Sequence, residues 1–438
     1  MYRALLRFGV AMCVAGVTLT TAQQATAAGG TMPQRATTAP AQAAQLPASA
    51  GAQVTARVDG KKGKIGSADF GIHSFQGTPG VAAGSVRLAC APTWAAVNPA
   101  PGEYDWEQMD YWVDRVENYG YSDILFAFCS TPEWAAKPVA RPDDRYLPGS
   151  VGQPRKMSYW RDFLEQVVQR YRGRITSYET WNEATSRFLY QGSPKAMAKM
   201  TRVLYEVVQQ YDSSAQVLAA NVQASRQINS RDWLFTFWPP YLKKLKRMKW
   251  PVDALSIHSY ADIRNYPKYR KKGQTLRPDL ISGALKILRR YDPPKRLQIW
   301  DTETNNLEKF NARGQRAVVA RTYLDSFRLG IDRTYWYMWT TKFDPWMGTQ
   351  MMAGTASVAA YDQVRAWTKG KKLRNCQTER RLTTCRILPG KAIVAWSERG
   401  ESKLKLGGKR QVCDLASDCR KVKRKLKVRV DPVWINRR

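Results

Sequence analysis

Short, largely apolar segments alternate with longer segments in which apolar residues recur at helical spacing, from about residue 66 to residue 370. The short segments predict buried strands, and the longer ones predict helices that bury one face. The predicted strands are Asp69–Ser74, Ser85–Cys90, Asp123–Cys129, Thr176–Trp181, Val217–Asn221, Ala254–His258, Leu297–Asp301 and Arg333–Met338. The predicted helices are Trp106–Tyr119, Ser158–Tyr171, Pro194–Tyr211, Arg231–Lys249, Ser282–Tyr291, Gly314–Leu329 and Thr355–Lys369.

Eight strands that alternate with helices over about 300 residues predict an α/β fold, a closed (β/α)8 TIM barrel, which we place at residues 53–370. Functional residues of such barrels lie at the C-terminal ends of the strands. Beyond residue 370 the pattern changes to short alternating runs such as Ala392–Ser397, Ser402–Leu406 and Lys425–Val430. These runs predict a small C-terminal antiparallel domain, β-sandwich-like and basic, at residues 371–438.

The N-terminal residues predict an export signal. A positively charged start, a short apolar run and an Ala-x-Ala site at Ala25–Ala27 predict a signal peptide over residues 1–27. Residues 28–52 are rich in Ala, Gln, Thr, Pro and Gly and predict a flexible linker. No later segment is apolar for long enough to span a bilayer, so we expect a mature chain without a transmembrane segment. The expected location is extracellular, with association with a cell wall as a further expectation.

Six cysteines remain after the signal, an even number that favours disulfides in an exported chain. Proximity along the chain predicts the pairs Cys376–Cys385 and Cys413–Cys419. The remaining pair is then Cys90–Cys129, with two free buried thiols as the alternative.

The formal net charge is +34, and removal of the signal leaves a surplus near +32. Such a surplus predicts affinity for polyanions, in this case an anionic cell-envelope polymer or an acidic polysaccharide. No specific nucleic-acid partner is predicted, and solubility at high salt is the competing explanation. Basic and apolar residues alternate at 421–430, which predicts one strand with a cationic face. That strand is either a docking surface or an edge whose lysines prevent aggregation.

Two predicted strands lead into carboxylates, in the stretches Thr176–Glu183 and Leu297–Asn305. The ends of a fourth and a seventh barrel strand face each other across the barrel mouth. Paired carboxylates in such a position are what the cleavage of a glycosidic bond requires. The sequence therefore predicts Glu183 and Glu303 as a catalytic pair. No cofactor and no metal site is predicted, because no Cys/His cluster has ligand spacing.

Several motifs resemble clan A glycoside hydrolases, and family 39, the β-xylosidase and α-iduronidase family, in particular. The matching stretches are SerValArgLeu at 85–88, residues 94–110, SerThrProGluTrpAla at 130–135, TrpAsnGlu at 181–183 and SerIleHisSerTyr at 256–260. The clan's AsnGluPro is AsnGluAla here. The resemblance covers nearly all of residues 66–370.

The resemblance implies a retaining hydrolase that cleaves O-glycosidic bonds in a poly- or oligosaccharide by double displacement. Glu183 is then the general acid/base and Glu303 the nucleophile. The implied substrate-binding residues are Asn182 for the sugar 2-hydroxyl, Arg87 beside Glu303, His258 and Tyr260 on the wall, Trp339 under the sugar and His73 at a subsite.

Three alternatives accompany these assignments. Glu179 is interpreted as the buried partner of an arginine rather than as a catalyst. Asp301 is a competing candidate for the second carboxylate, and Trp336 and Trp346 are either pocket walls or packing residues. For the whole chain, the alternative is a catalytically silent carbohydrate- or cell-wall-binding protein on a barrel scaffold.

Overall fold

The computed structural model describes residues 60–74, 79–139, 147–224, 228–260, 277–306, 310–341 and 348–436, with side chains outside 228–235. The predicted signal peptide and linker lie outside these residues. No helix in the described ranges is both long and apolar enough to cross a membrane.

Nine parallel strand segments close into a barrel that is surrounded by helices. The strands are β1 Phe70–Ser74, β2 Ser85–Ala89, β3 Ile124–Ala127, β4 Ser177–Glu179, β5 Gln216–Leu218, β6 Val222–Gln223, β7 Ala254–His258, β8 Gln298–Thr304 and β9 Arg333–Trp339. The helices are α1 Trp94–Val97, α2 Glu107–Asn118, α3 Met157–Arg170, α4 Pro194–Tyr211, α5 Ile228–Arg247, α6 Arg277–Arg289, α7 Ala312–Leu329 and α8 Ala356–Thr368. The order of hydrogen-bonded strands is β5-β4-β3-β2-β1-β9-β8-β7-β6, and a β5–β7 pairing closes the ring.

The fold is therefore the predicted (β/α)8 barrel, with β5 and β6 as two segments of its fifth strand. The sequence predicted one continuous strand, Val217–Asn221, at this place. The chain instead leaves the regular ladder between Leu218 and Val222, and the side chain of Asn221 accepts a hydrogen bond from the backbone of Glu183. The interruption thus places Asn221 where it can hold the backbone beyond the end of β4.

The barrel interior changes character along its axis. Near the N-terminal ends of the strands, a buried apolar cluster fills the interior, formed by Leu125, Leu218, Ala254, Trp300 and Tyr335. Nearer the C-terminal ends, the interior side chains are charged and polar, among them the fully buried Arg87 and Glu179. Buried charges are stable only when they are paired, so this upper layer has to be a connected network.

Residues 372–436 form an antiparallel β domain, as the sequence predicted. Its strands are β10 Lys372–Glu379, β11 Leu382–Leu388, β12 Ile393–Ser397, β13 Ser402–Lys405, β14 Arg410–Cys413, β15 Cys419–Val422, β16 Lys425–Val428 and β17 Val433–Asn436. Six of them form a sheet in the order β10-β11-β12-β17-β14-β15, and β13 pairs with β16 in a second, two-stranded sheet. A shared apolar cluster with residues from both sheets joins them.

The prediction of one cationic strand at 421–430 is wrong. The stretch forms two strands, β15 and β16, which belong to different sheets. Arg424 lies between them with a φ of 61°, in the left-handed region that turns the chain. Basic residues occupy the turn as well as the two strands. The alternation of basic and apolar residues therefore continues in the sequence across the point where one strand ends and the next begins.

The β domain packs on the barrel through a common core rather than through a thin linker. A single buried cluster contains residues of α7 and α8 together with Trp396 and Leu373 of the β domain. Arg321 of α7 forms an ion pair with Glu398, which follows β12. Burial opposes ionisation of Glu398, but the charges of Arg321 and Arg328 outweigh it and lower the pKa of this carboxyl.

Three disulfides lie in the described residues. Cys90 is paired with Cys129, just beyond the ends of the adjacent strands β2 and β3, with their Cα atoms 5.4 Å apart. Cys376–Cys385 crosses β10 and β11, and Cys413–Cys419 crosses β14 and β15. One bridge therefore ties the barrel rim, and two tie hairpins of the β domain.

Candidate active site

Glu183 lies four residues beyond the end of β4, in a turn that few residue types adopt. Its φ is 47°, in the left-handed region. Its backbone N–H donates to Oδ1 of Asn221 at 2.7 Å, which holds the strained turn in place. The side chain is 8% exposed, so its carboxylate is nearly enclosed by protein.

Two side chains, Gln223 and His258, contact the Glu183 carboxylate. Nε2 of Gln223 donates to Oε2 at 2.5 Å, and Nδ1 of His258 lies 3.0 Å from Oε1. No arginine or lysine pairs with Glu183 among the described residues. Within the described residues, the Glu183 carboxylate is therefore contacted by a side-chain amide and an imidazole.

Glu303 reaches the same space because β8 contains a bulge. In the pairing with β7, Ile257 lies opposite Asp301 but His258 lies opposite Glu303, so one residue is skipped. Strict alternation would place Glu303 on the same side as Asp301, whose carboxylate pairs with Arg277 of α6. The bulge re-aims Glu303 into the barrel mouth.

Glu303 is surrounded by hydrogen-bond donors, one of them a guanidinium. Nη1 of Arg87 donates to Oε2 at 2.8 Å, and the Tyr260 hydroxyl donates to Oε1 at 2.5 Å. Nδ1 of His73 lies 3.8 Å from Oε2. Burial and the neighbouring Glu303 carboxylate raise the pKa of the Tyr260 phenol well above its usual value, so Tyr260 remains a donor.

The two carboxylates are close enough for direct displacement. One carboxylate oxygen of Glu183, one of Glu303 and one ring nitrogen of His258 lie within 4.8 Å of one another. Retaining glycosidases place their carboxyl groups about 5–5.5 Å apart, whereas inverting enzymes leave about 6.5–9.5 Å for a water. A cation bound to this trio would meet the guanidinium of Arg87, so the arrangement favours proton transfer over metal binding.

The two histidines of the chain both lie in this site, with opposite electrostatics. Burial and the charge of Arg87 hold the pKa of His73 well below its usual value. Burial also opposes protonation of His258, but the carboxylates of Glu303 and Glu183 outweigh it and raise its pKa. His73 is thus a neutral wall residue, while His258 lies between the two carboxylates, 3.0 Å from Glu183 and 3.9 Å from Glu303.

Arg87 connects the layer. It is fully buried and donates to Glu179 at 2.8 Å, to Glu303 at 2.8 Å and to Oδ1 of Asn182 at 2.8 Å. Glu179 also accepts from Thr302 at 2.8 Å. The interpretation of Glu179 as the partner of an arginine is confirmed, and Glu179 is fully buried away from the mouth.

The remaining candidates are sorted by their surroundings. Asp301 is fully buried and held by Arg277 and the Ser259 backbone, so it does not face the mouth. Trp336 lies inside a core cluster and is a packing residue. Trp339 ends β9 and is 3% exposed, and its indole packs over Gly80. Trp346 lies outside the described residues.

Sequence reasoning missed Asn221 and Gln223, which orient Glu183 from the fifth barrel strand. A signal was present, because both are polar residues at the C-terminal end of a predicted strand. What the sequence did not reveal is the interruption between β5 and β6 that turns both side chains toward Glu183.

Comparisons with known proteins agree with this architecture. No protein-family model matches the chain, and no curated protein matches it. Among solved structures, a family 39 glycoside hydrolase from Bacteroides cellulosilyticus is 16% identical, with a TM-score of 0.63 over 85% of this chain and 81% of that one. The GH39 enzyme from Xanthomonas axonopodis pv. citri is 13% identical, with a TM-score of 0.54 over 85% and 94%. The catalytic domain of a GH30 xylanase C from Talaromyces cellulolyticus is 12% identical, with a TM-score of 0.52 over 84% and 90%.

Identities this low carry the fold and not the activity. The likeness extends over more than four fifths of this chain in each case. The chain therefore has the (β/α)8 barrel fold that these glycoside hydrolases share.

Proposed function

We propose that the protein is a retaining O-glycoside hydrolase, with Glu183 as general acid/base and Glu303 as nucleophile. The observation that carries the proposal is the pair of carboxylates within 4.8 Å in unequal surroundings. Among the described residues, Glu303 has a cationic partner in Arg87, whereas Glu183 is contacted by Gln223 and His258. Two carboxylates with such different partners suit the two different roles that a double displacement requires.

The reaction proceeds in two displacements. Glu303 attacks the anomeric carbon while Glu183 donates its proton to the leaving oxygen, which breaks the glycosidic bond and forms a glycosyl ester on Glu303. Glu183, now ionised, then takes a proton from a water whose oxygen attacks the same carbon. The ester bond breaks, and the sugar leaves with its original anomeric configuration.

The other residues bind and orient the sugar in this proposal. Arg87 occupies Oδ1 of Asn182, so the amide N–H groups of Asn182 are the donors for a 2-hydroxyl. His73 and Tyr260 form the wall beside Glu303. Trp339 is buried in the same core cluster as Trp336, so it supports the end of β9 next to Ser74.

The alternative is a binding protein on a barrel scaffold. Such a protein has no need for a strained Glu183 or for a bulge that aims Glu303 at it. Both features cost stability and are explained by a catalytic pair. The solved structures described above are glycoside hydrolases, and their shared fold is compatible with this proposal.

The test is the stereochemistry of the first product. A panel of aryl β-xylosides, β-glucosides and α-L-iduronides is incubated with the full chain, and the anomer formed first is read by proton NMR. We expect release of the aryl group and a product with the configuration of the substrate. Inversion would contradict the double displacement, and no turnover across aryl and oligosaccharide panels would favour the binding protein.

We also propose that the protein is exported and held on an anionic cell-envelope polymer by the β domain. The contact surface is the lysine ribbon, defined by Lys403, Lys405, Lys425 and Lys427. In the β13–β16 pair Lys403 lies opposite Lys427 and Lys405 opposite Lys425, and all four are exposed. Like charges directly opposite each other on a sheet are unfavourable. Lys427 is partly compensated by Glu401 at 3.5 Å, and a bound polyanion would offset the remaining repulsion among the lysines.

Replacing the four lysines of the ribbon by glutamine is expected to reduce retention on an anionic wall polymer at low salt, with no loss of thermal stability. Retention is measured by sedimentation with the polymer at about 20 mM and about 200 mM salt, because exposed charges act only within the screening length. The four lysines are a small part of the surface charge, so a clear loss of retention would point to this site and not to the overall charge. If the variant sediments with the polymer at low salt as the unmodified chain does, the ribbon is not the contact surface. Aggregation of the variant with retention unchanged would support the protective role of the lysines instead.

A further inference from the structure

A second charged feature lies on the barrel, apart from the catalytic pair and the lysine ribbon. A cleft of about 360 Å³ opens beside the first turns of α3 and α4. Its four cationic side chains define what we call the basic cleft, and they are Lys137, Arg155, Lys195 and Lys199. All four are exposed, and the lining contains no carboxylate. In the described part of the chain, none of the four belongs to an ion pair.

The two helices add positive potential at the same place. α3 and α4 both begin at this cleft, and neither has an acidic residue in its first turn. A helix N-terminus carries partial positive charge, so cations are unfavourable there and anions are favourable. Lys195 nevertheless lies in the first turn of α4, and Lys199 lies one turn later. An anionic ligand turns this unfavourable arrangement into a favourable one.

The basic cleft lies on the catalytic face of the barrel. α3 and α4 follow β3 and β4, so their N-termini lie at the C-terminal ends of the strands, where Glu183 is placed. Only ten positions separate Glu183 from Ser193, the N-cap of α4. The intervening loop is tied down, because the Gln191 N–H donates to the Val151 carbonyl at 2.7 Å. The basic cleft and Glu183 therefore lie on the same face of the barrel.

Aromatic side chains next to the cleft suit a sugar. Arg155 donates to the carbonyl of Trp134, and the half-buried ring of Trp134 lies 5.1 Å from that of Tyr159. Lys156 lies 5.6 Å from the Tyr159 ring. Half-buried aromatic rings beside cationic groups leave part of their surface for contact with a pyranose, and the cations can pair with its acidic substituent.

We propose that the basic cleft binds an anionic substituent, a carboxylate, sulfate or phosphate, of a glycan that extends from the catalytic pair. The inference rests on the proposed hydrolase function for the position of the scissile bond. Binding of the anionic saccharide does not require hydrolysis, so the two proposals can fail separately.

The test compares Lys195→Gln/Lys199→Gln with Lys243→Gln/Lys246→Gln in the full chain. The control variant loses the same two positive charges, at two exposed lysines near the C-terminal end of α5. Affinities for a uronate, a sulfated, a phosphorylated and a neutral tetrasaccharide are measured by calorimetry at low salt. We expect the cleft variant to bind its preferred anionic saccharide about tenfold or more weakly, and the control to change less than twofold.

Further readouts separate recognition from folding and from catalysis. Because two cations leave a helix N-terminus, we expect the cleft variant to unfold at the same or a higher temperature than the unmodified chain. On a substrate that carries the preferred anion, KM should rise while kcat stays unchanged, and hydrolysis of a neutral aryl glycoside should stay unchanged.

The outcomes decide between the proposals. Equal affinity of both variants for all three anionic saccharides would overturn the cleft assignment, as would equal affinity of the unmodified chain for neutral and anionic tetrasaccharides. Preference for one of the three identifies the substituent. Anion binding that depends on the cleft in a chain without hydrolytic activity would support the cleft and contradict only the proposed function.

Discussion

Glu303→Ala is expected to lower kcat by about 10⁴-fold or more, because it removes the atom that forms the covalent intermediate. The carboxylate lies within 4.8 Å of Glu183 and accepts from Arg87 and Tyr260, so no other described carboxylate can take its place. Asp301, the nearest in sequence, is held by Arg277 outside the mouth. The measurement is steady-state hydrolysis of the best substrate from the glycoside panel.

Two additions sharpen this experiment. A small external nucleophile such as azide can enter the space left by the side chain of Glu303→Ala, and it should restore turnover and yield a glycosyl azide of inverted configuration. Glu133→Ala is the matched control, since Glu133 is exposed beyond the end of β3 on the same face of the barrel. Full activity of Glu303→Ala, or an equal loss in the control, would contradict the assignment of the nucleophile.

Arg87→Met is expected to lower the free energy of unfolding by about 3–5 kcal/mol, because it leaves the fully buried Glu179 without its cation. Arg87 also holds Glu303 and Asn182, so the variant should lose catalytic activity at temperatures where it is still folded. Urea denaturation followed by tryptophan fluorescence measures the first effect, and hydrolysis below the unfolding transition measures the second.

A second substitution separates the two roles of Arg87. Adding Glu179→Gln to Arg87→Met removes the unpaired buried charge, so part of the lost stability should return. Activity should not return with it, because Glu303 still lacks its cationic partner. Recovery of activity together with stability would mean that Arg87 acts only through the fold. A stability loss below about 1 kcal/mol in the single variant would contradict the central position of Arg87 in the network.

The positively charged groups of the molecule differ in burial and therefore in function. Arg87 is buried and fixed by carboxylates, whereas the basic cleft and the lysine ribbon consist of exposed cations. Exposed cations respond strongly to salt and buried ones weakly. Salt dependence is therefore expected for binding to the cleft and the ribbon, and much less for the Arg87 network.

The barrel, the β domain and the two carboxylates could all be predicted from the amino-acid sequence. Buried strands and one-sided helices leave their periodicity in the chain, because each residue's burial follows from its position in a regular element. Strand ends could be read in the same way, which placed Glu183 and Glu303 at one face of the barrel.

Only the tertiary structure decided how those residues face each other. The bulge in β8 that turns Glu303 inward depends on its register with β7, and register is a property of two strands far apart in sequence. The same holds for Asn221, which reaches Glu183 across an interrupted strand, and for the basic cleft, which joins two loops. Pairing between distant segments leaves no period in the sequence, so chemistry that depends on it becomes visible only when the chain is folded.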